Sequence, residues 1–365
     1  SGSVSLLGAG LSNSNAMKLT LDTSSAGNKS GSAVVNFVSD GSGTSGLGQT
    51  ALNGANGTVN EQQTINADGA VFRLASASAH TPVPVVLANA RVGGSSSQAL
   101  TLSNTAVNDG FSERLNATIG GASAGLSASG SFSGLGAGAS NNSALSVALN
   151  TSSAGHKAGT ATITLTSDGA GTSELGQTAI GTQTVNVSGD VFRLASASAH
   201  SPEPVVLANA RVGGVSSQTL SITNAATNDG FSERLNASIG GASAGITASG
   251  SFNLLGAGAT NNSALSVSLD TASAGHKSGT ATINLASDGA GTSGFSALAL
   301  AGQTVNVSGD VFRLASASAH SPEPVNFGNR HVGDVVSQSL TLANSAAADG
   351  FSESLNASIG GATGA

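Results

Sequence analysis

Ten residues, Val71-Phe72-Arg73-Leu74-Ala75-Ser76-Ala77-Ser78-Ala79-His80, return unchanged at Val191 to His200 and again at Val311 to His320, a period of 120 residues. Self-similarity at a fixed period constrains architecture before any motif does. A period this long exceeds the ~20–50 residues of solenoid units and matches one small domain. The 365 residues therefore divide into a partial repeat (1–70), two complete repeats (71–190 and 191–310) and a second partial repeat (311–365).

Inside a repeat the apolar residues alternate with polar ones, the period of a strand with one buried face. Leu100 and Leu102 alternate with Thr101 and Ser103; Leu115, Ala117 and Ile119 follow; then Leu145, Val147 and Leu149, Ala161, Ile163 and Leu165, and Val185 and Val187. Phe72 and Leu74 suggest a first strand, interrupted by Pro82 and Pro84 and so placed at an edge. Leu126, Ala128 and Phe132 share a parity and read as one run. Turn signals separate these runs at Gly93-Gly94, Asn108-Asp109-Gly110, Gly120-Gly121, Ala154 to Gly159 and Asp168-Gly169. Seven or eight short strands per repeat predict an all-β fold: tandem immunoglobulin-like antiparallel β-sandwich domains. Only Gly189-Asp190 separates the last strand of one repeat from the next, with no flexible linker. That joint predicts a semi-rigid, rod-like array.

Composition narrows the function. Charged residues are 8% of the chain, against about 25% in an ordinary domain. The net charge is −7, and the 12 Lys and Arg do not cluster, so no basic stripe for nucleic acid exists. There is no Trp or Tyr, so stacking platforms rest on 11 Phe alone. The absence of Cys excludes disulfides and thiolate chemistry. No apolar run is long enough for a membrane-spanning helix. The chain opens on Ser1 with no visible signal peptide and reads as a processed or excised segment. A neutral Ser/Thr/Gly/Ala-rich β array fits an exported, extracellular or cell-surface bacterial protein.

The third copy reads Pro324-Val325-Asn326-Phe327-Gly328-Asn329-Arg330-His331-Val332-Gly333, then Ser339-Leu340-Thr341-Leu342-Ala343-Asn344; the first complete repeat carries Gly159-Thr160-Ala161-Thr162-Ile163-Thr164-Leu165-Thr166-Ser167-Asp168. These phrases resemble the choice-of-anchor D group of bacterial immunoglobulin-like repeats, related in style to ASH/MSP-like sandwiches. The earlier copies depart at Leu87-Ala88, where Phe327-Gly328 stands in the third. The resemblance implies exported, surface-attached proteins and supplies no catalytic residues.

No catalytic, cofactor-binding or metal-binding residue is singled out, and an enzyme is the least favoured reading. His80, His156, His200, His276 and His320 recur a domain apart and cannot converge on one metal; with His331 they read as exposed turn histidines. Asp109, Asp168 and Asp190 could offer oxygens to calcium, but no clustered acidic run occurs and turn chemistry explains the Asp-Gly pairs. Glu113-Arg114 recurs as Glu233-Arg234 and becomes Glu353-Ser354. Strand neighbours face opposite ways, so each Glu is expected in a cross-strand or inter-domain ion pair. Arg73, Arg193 and Arg313 are expected to bond backbone groups at the repeat joints.

Residues 1–70, with about eight extra residues around Asn53 to Glu61, match the C-terminal half of a repeat, and 311–365 match the N-terminal half. Two such halves are complementary, and each alone exposes strand edges. Pairing between subunits would be heterologous and would build a homopolymer. The leading functional expectation is a structural protein of a bacterial surface fibre, sheath or stalk. Alternatives are the stalk of a surface adhesin and a calcium- or glycan-binding repeat module.

Overall fold

The computed structural model describes residues 1–52, 62–361 and 363–364, so the extra segment at 53–61 lies outside the described residues. All regular secondary structure among them is β. In the first partial repeat β1 (Gly27–Asn36) pairs with β4 (Gln62–Val71), and β2 (Val38–Asp40) with β3 (Gln49–Ala51), both antiparallel.

The first complete repeat supplies β5 (Val85–Val86), β6 (Ala90–Arg91), β7 (Ser97–Ser103), β8 (Arg114–Gly120), β9 (Leu126–Ser129), β10 (Ser131–Leu135), β11 (Ser140–Leu149), β12 (Gly155–Asp168) and β13 (Thr178–Phe192). One sheet runs β10-β8-β12-β13-β5, with β6 also on β13; the other runs β7-β11-β9. The second complete repeat copies this plan. Its strands are β14 (Val205–Val206), β15 (Ala210–Arg211), β16 (Ser217–Thr223), β17 (Arg234–Gly240), β18 (Ile246–Ser249), β19 (Ser251–Leu255), β20 (Thr260–Leu269), β21 (Gly275–Asp288) and β22 (Leu298–Phe312). Its sheets are β14-β22-β21-β17-β19, with β15 on β22, and β16-β20-β18.

The alternating residues explain the layering. Leu220, Ile222, Leu265 and Val267 from the three-stranded sheet form one core with Leu235, Ile239, Ile283 and Val305 from the larger sheet. Each such side chain contributes about 1.5–3 kcal/mol on burial. This is the two-sheet, immunoglobulin-like sandwich expected from the sequence.

Several local expectations are corrected. The sandwich is not wholly antiparallel: the short β5 and β6 pair parallel with β13, as do β14 and β15 with β22. Residues 72–84 form no regular strand, only isolated bridges such as Arg73↔Ser112 and Thr81↔Thr101; Leu74 is exposed while Ala75 is buried. The Leu126 to Phe132 run breaks into β9 and β10, which belong to different sheets. Gly130 makes the crossing at φ +115°, and a Cβ there would stand 1.8 Å from the Ala144 carbonyl oxygen. Gly250 repeats this geometry. The glycines at 155 and 159 do not mark a turn, since β12 already begins at Gly155 and includes Lys157. Gly189-Asp190 lies within β13 rather than between two strands, and Gly309-Asp310 within β22.

After Phe312 the described residues hold no strand, only the bridges Arg313↔Ser352, Ala317↔Asn344 and Ser321↔Thr341. In the complete repeats the equivalent segments are paired by β11 and β12. Leu340 and Leu342 are accordingly exposed, whereas their equivalents Leu100 and Leu102 are fully buried.

The described chain forms two compact units, one of residues 1–87, 97–149 and 158–188, the other of 88–96, 150–157 and 189–365. The loop Ala88–Ser96, which by sequence belongs to the first complete repeat, therefore sits in the second unit.

Candidate functional site: a buried glutamate clamped by arginine

Within the second unit, Glu233 is a carboxylate with 0% of its surface exposed. It stands just before β17, fixed by its amide N–H to the Arg193 carbonyl at 2.9 Å. Ser287 on β21 donates its hydroxyl to Oε2 at 2.7 Å, and Ser293 in the following loop donates to Oε1 at 2.6 Å. The Ser287 oxygen also accepts the Ala195 amide at 2.8 Å. That loop is tight at its start: a Cβ on Gly289 would meet the Ser293 hydroxyl at 2.2 Å.

The cation comes from the Ala88–Ser96 loop. Arg91 donates Nε to Oε1 of Glu233 at 2.8 Å and Nη2 to Oε2 at 3.1 Å, a two-pronged pair. The same Nη2 reaches the Ser296 carbonyl at 2.8 Å, and the guanidinium lies 5.0 Å from the centre of the Phe295 ring. Asn89 adds a bond from Nδ2 to the Ser293 carbonyl at 2.9 Å. A buried carboxylate is costly unless paired and hydrogen-bonded, and every lone pair direction here is answered. The Glu233 carboxylate thus accepts two bonds at each oxygen, from Arg91 and Ser293 at Oε1 and from Arg91 and Ser287 at Oε2.

The arrangement recurs. Arg211 makes the same two bonds to Glu353, at 2.7 and 3.1 Å, although Arg211 is exposed and Glu353 partly so. In the first unit Glu113, 2% exposed, receives Ser167 and Ser173 hydroxyls at 2.6 Å each. Among the described residues it has no cationic partner.

The ion pair expected of the recurring glutamates is thus present at Glu233 and Glu353. Arg114 and Glu113 do face opposite ways, one exposed and one buried. Arg91 and Arg211 were not singled out by sequence, although each stands one period from the other, as the glutamates do. Arg73, Arg193 and Arg313 bind side chains more than backbone: their Nη1 atoms meet Asp109, Asp229 and Asp349 at 2.6, 2.7 and 2.7 Å, and the hydroxyls of Ser112, Ser232 and Ser352. The guanidinium bond is the chief reason each of these aspartates is held below the usual carboxylate range.

The histidines divide. His156 and His276 are exposed, as expected, and pair through Nδ1 with Asp190 and Asp310 at 2.6 Å. His320 is exposed and bonds Glu323; His331 is exposed too. His80 and His200 are buried instead, because Gln183 and Gln303 reach across to bond both their amide and their Nδ1. His200 Nε2 bonds Glu203, whereas Val83 at the matching place leaves His80 Nε2 without a partner. Asp168, one of the candidate calcium donors, is occupied by the Ala170 amide, Asn116 and Gln177, which hold its carboxyl below the usual range. Among the described residues no three His, Asp or Glu side chains gather as metal ligands. A cleft of about 330 Å³ is lined by residues including Asn116, Thr118, Phe132 and Gln177 and by no titratable side chain. No helix among the described residues is long and apolar enough to cross a membrane.

No family model and no curated protein matches the chain. Solved structures similar to it include a protein of unknown function from Porphyromonas gingivalis W83, with 10% identity and TM-score 0.23, covering 64% of this chain and 98% of that one. The titin domains z1z2 in complex with telethonin align at 12% identity and TM-score 0.21, covering 66% and 99%. The CupB6 tip adhesin from Pseudomonas aeruginosa aligns at 10% identity and TM-score 0.21, covering 60% and 91%.

Proposed function

We propose that this chain is a structural, load-bearing repeat segment of an exported bacterial surface protein, a fibre, sheath or stalk, without catalytic activity. The observation that carries this reading is the arginine–glutamate clamp. Arg91 to Glu233 and Arg211 to Glu353 each tie one sequence repeat to the next, 142 residues apart in both cases. A binding or catalytic module has no need of a fastening renewed once per repeat; an array that bears tension does. The strands β13 and β22, which run unbroken through Gly189-Asp190 and Gly309-Asp310, support the same reading. So does a cleft of about 330 Å³ lined by no titratable side chain. The resemblance to surface-attached repeats fits export to the cell surface.

Small-angle scattering on the purified chain tests this. A compact globule of 365 residues has a radius of gyration of about 21 Å. A stiff array gives a value well above that, with a rod-like cross-section regime. A radius near the globular value, or a particle that flexes freely at the repeat joints, refutes the reading.

A further inference from the structure

His80 and His200 hold the same place in the two complete repeats and are 5% and 8% exposed. A glutamine fixes one side of each ring. Gln303 donates Nε2 to the Ser198 carbonyl at 2.7 Å, so its Oε1 is turned toward His200, where it accepts the backbone amide at 2.8 Å. Reversing the glutamine amide would set donor against donor and acceptor against acceptor, so the backbone dictates its orientation. Nδ1 of His200 lies 2.9 Å from that same oxygen and therefore carries a hydrogen. Gln183 imposes the same state on Nδ1 of His80: it donates to the Ser78 carbonyl at 2.7 Å and accepts the His80 amide and ring at 3.0 Å each.

The second ring nitrogen separates the two repeats. Nε2 of His80 is buried without a partner, which suits the lone pair of a neutral ring. A hydrogen there would create a buried positive charge with nothing to answer it. Nε2 of His200 instead lies 2.6 Å from Oε2 of Glu203. Burial pushes the Glu203 carboxyl up, but the bonds from Asn306 and His200 outweigh it and hold the group below the usual carboxylate range. Its Oε1 accepts both the backbone amide and Nδ2 of Asn306. An ionised carboxylate has no hydrogen to give, so the contact requires one on Nε2. His200, with both nitrogens protonated, is an imidazolium. Gln303 is neutral, and among the described residues Glu203 is the one charged side chain bonded to this ring. The pairing recurs between His320 and Glu323.

We propose that His200 and Glu203 form a built proton-binding site, which Val83 removes from the first complete repeat. The second complete repeat holds an imidazolium balanced by a carboxylate; the first holds a neutral ring. The residue three places after the histidine decides between the two. Neither state depends on the load-bearing role proposed above.

Long-range proton–nitrogen NMR on the whole chain at about pH 7.5 reads each ring, at a pH where an ordinary histidine, titrating near ~6.5, is mostly neutral. Signals are assigned by their loss in His80→Gln and His200→Gln. His200 is expected to show two protonated-type nitrogens, and His80 a protonated Nδ1 with a bare Nε2. Glu203→Val should return His200 to the neutral pattern, and Val83→Glu should give His80 the charged one. Capillary electrophoresis at the same pH gives a second reading, on variants whose circular dichroism matches the wild type. Glu203→Val removes a carboxylate together with the proton bound beside it, so net charge holds; without that proton the chain would become about one charge more positive. If Glu203→Val fails to fold, Glu203→Gln, of equal size, replaces it. A neutral His200 pattern in the wild type overturns the proposal. So does a His200 signal indifferent to the loss of the Glu203 carboxylate, or a gain of one positive charge in that variant.

Discussion

Arg91→Ala isolates the clamp. The change removes two bonds to a fully buried carboxylate, one to the Ser296 carbonyl and the contact with Phe295. Stripping one partner from a buried ion pair costs roughly 3–5 kcal/mol. Ser287 and Ser293 continue to donate, however, and Glu113 shows that this carboxylate stays buried on two hydroxyls alone. That comparison sets the expectation at the lower end, about 3 kcal/mol. With no Trp or Tyr there is no strong fluorescence signal, and an array need not unfold in one step. Native-state hydrogen exchange read by mass spectrometry avoids both difficulties. Amides of β17 and of residues 287–296 should exchange about 100-fold faster in Arg91→Ala, since each 1.4 kcal/mol is tenfold. In a double-mutant cycle with Glu233→Gln, a coupling of ~2 kcal/mol is expected for groups in contact. A cost below about 1 kcal/mol together with a coupling below ~0.5 kcal/mol would show the pair to be ornamental.

The equivalent change Arg211→Ala removes a pair in which the arginine is exposed and Glu353 partly so, and should speed exchange far less than Arg91→Ala does; an equal effect would mean exposure does not govern the clamp's strength. Gly250→Ala should destabilise the second repeat by more than ~4 kcal/mol, because its Cβ would lie 1.8 Å from the Ala264 carbonyl oxygen. Gly230→Ala, also at positive φ but with open space around it, should cost only ~1–2 kcal/mol, and equal melting temperatures for the two would contradict the sheet-crossing role. For Asp229, the Arg193 bond lowers the folded-state pKa below the unfolded one. Its stabilisation is therefore complete above about pH 4 and fades as acid is added below that. Asp229→Asn should shallow the fall in melting temperature between about pH 4 and pH 2, and parallel curves for mutant and wild type would count against the pairing.

What the sequence revealed depended on how local the cause was. Leu100, Leu102 and Ile163 occupy the core because alternation alone dictates it. Asn108-Asp109-Gly110 turns as its chemistry requires, with Gly110 at φ +87° and the Asp109 carboxylate accepting the Phe111 amide. The misses share a distant cause. His80 is buried by Gln183, 103 residues away, which no local pattern announces. Gly159 looks like a turn residue but sits inside β12, where a Cβ would collide with Ser123 at 2.4 Å; it is there for close approach. The split at Gly130 was masked because β9 and β10 keep a common parity across the crossing. The recurrence of Glu113, Glu233 and Glu353 hinted at an ion pair, yet its partner belongs to the preceding repeat and could be found only in three dimensions.

The unbroken β13 bears on how this chain should be cut for study. A fragment ending at Asp190, where the sequence period suggests, would discard Val191 and Phe192, whose ladder partners are Ala90 and Arg91. The amide of Val92 would also lose its acceptor, the Phe192 carbonyl at 2.8 Å. The loop that presents the clamping arginine is thus braced by the opening residues of the following period. Excision limits drawn after Phe192 or Phe312 keep that brace, and truncations made at the arithmetic boundary should fray there first.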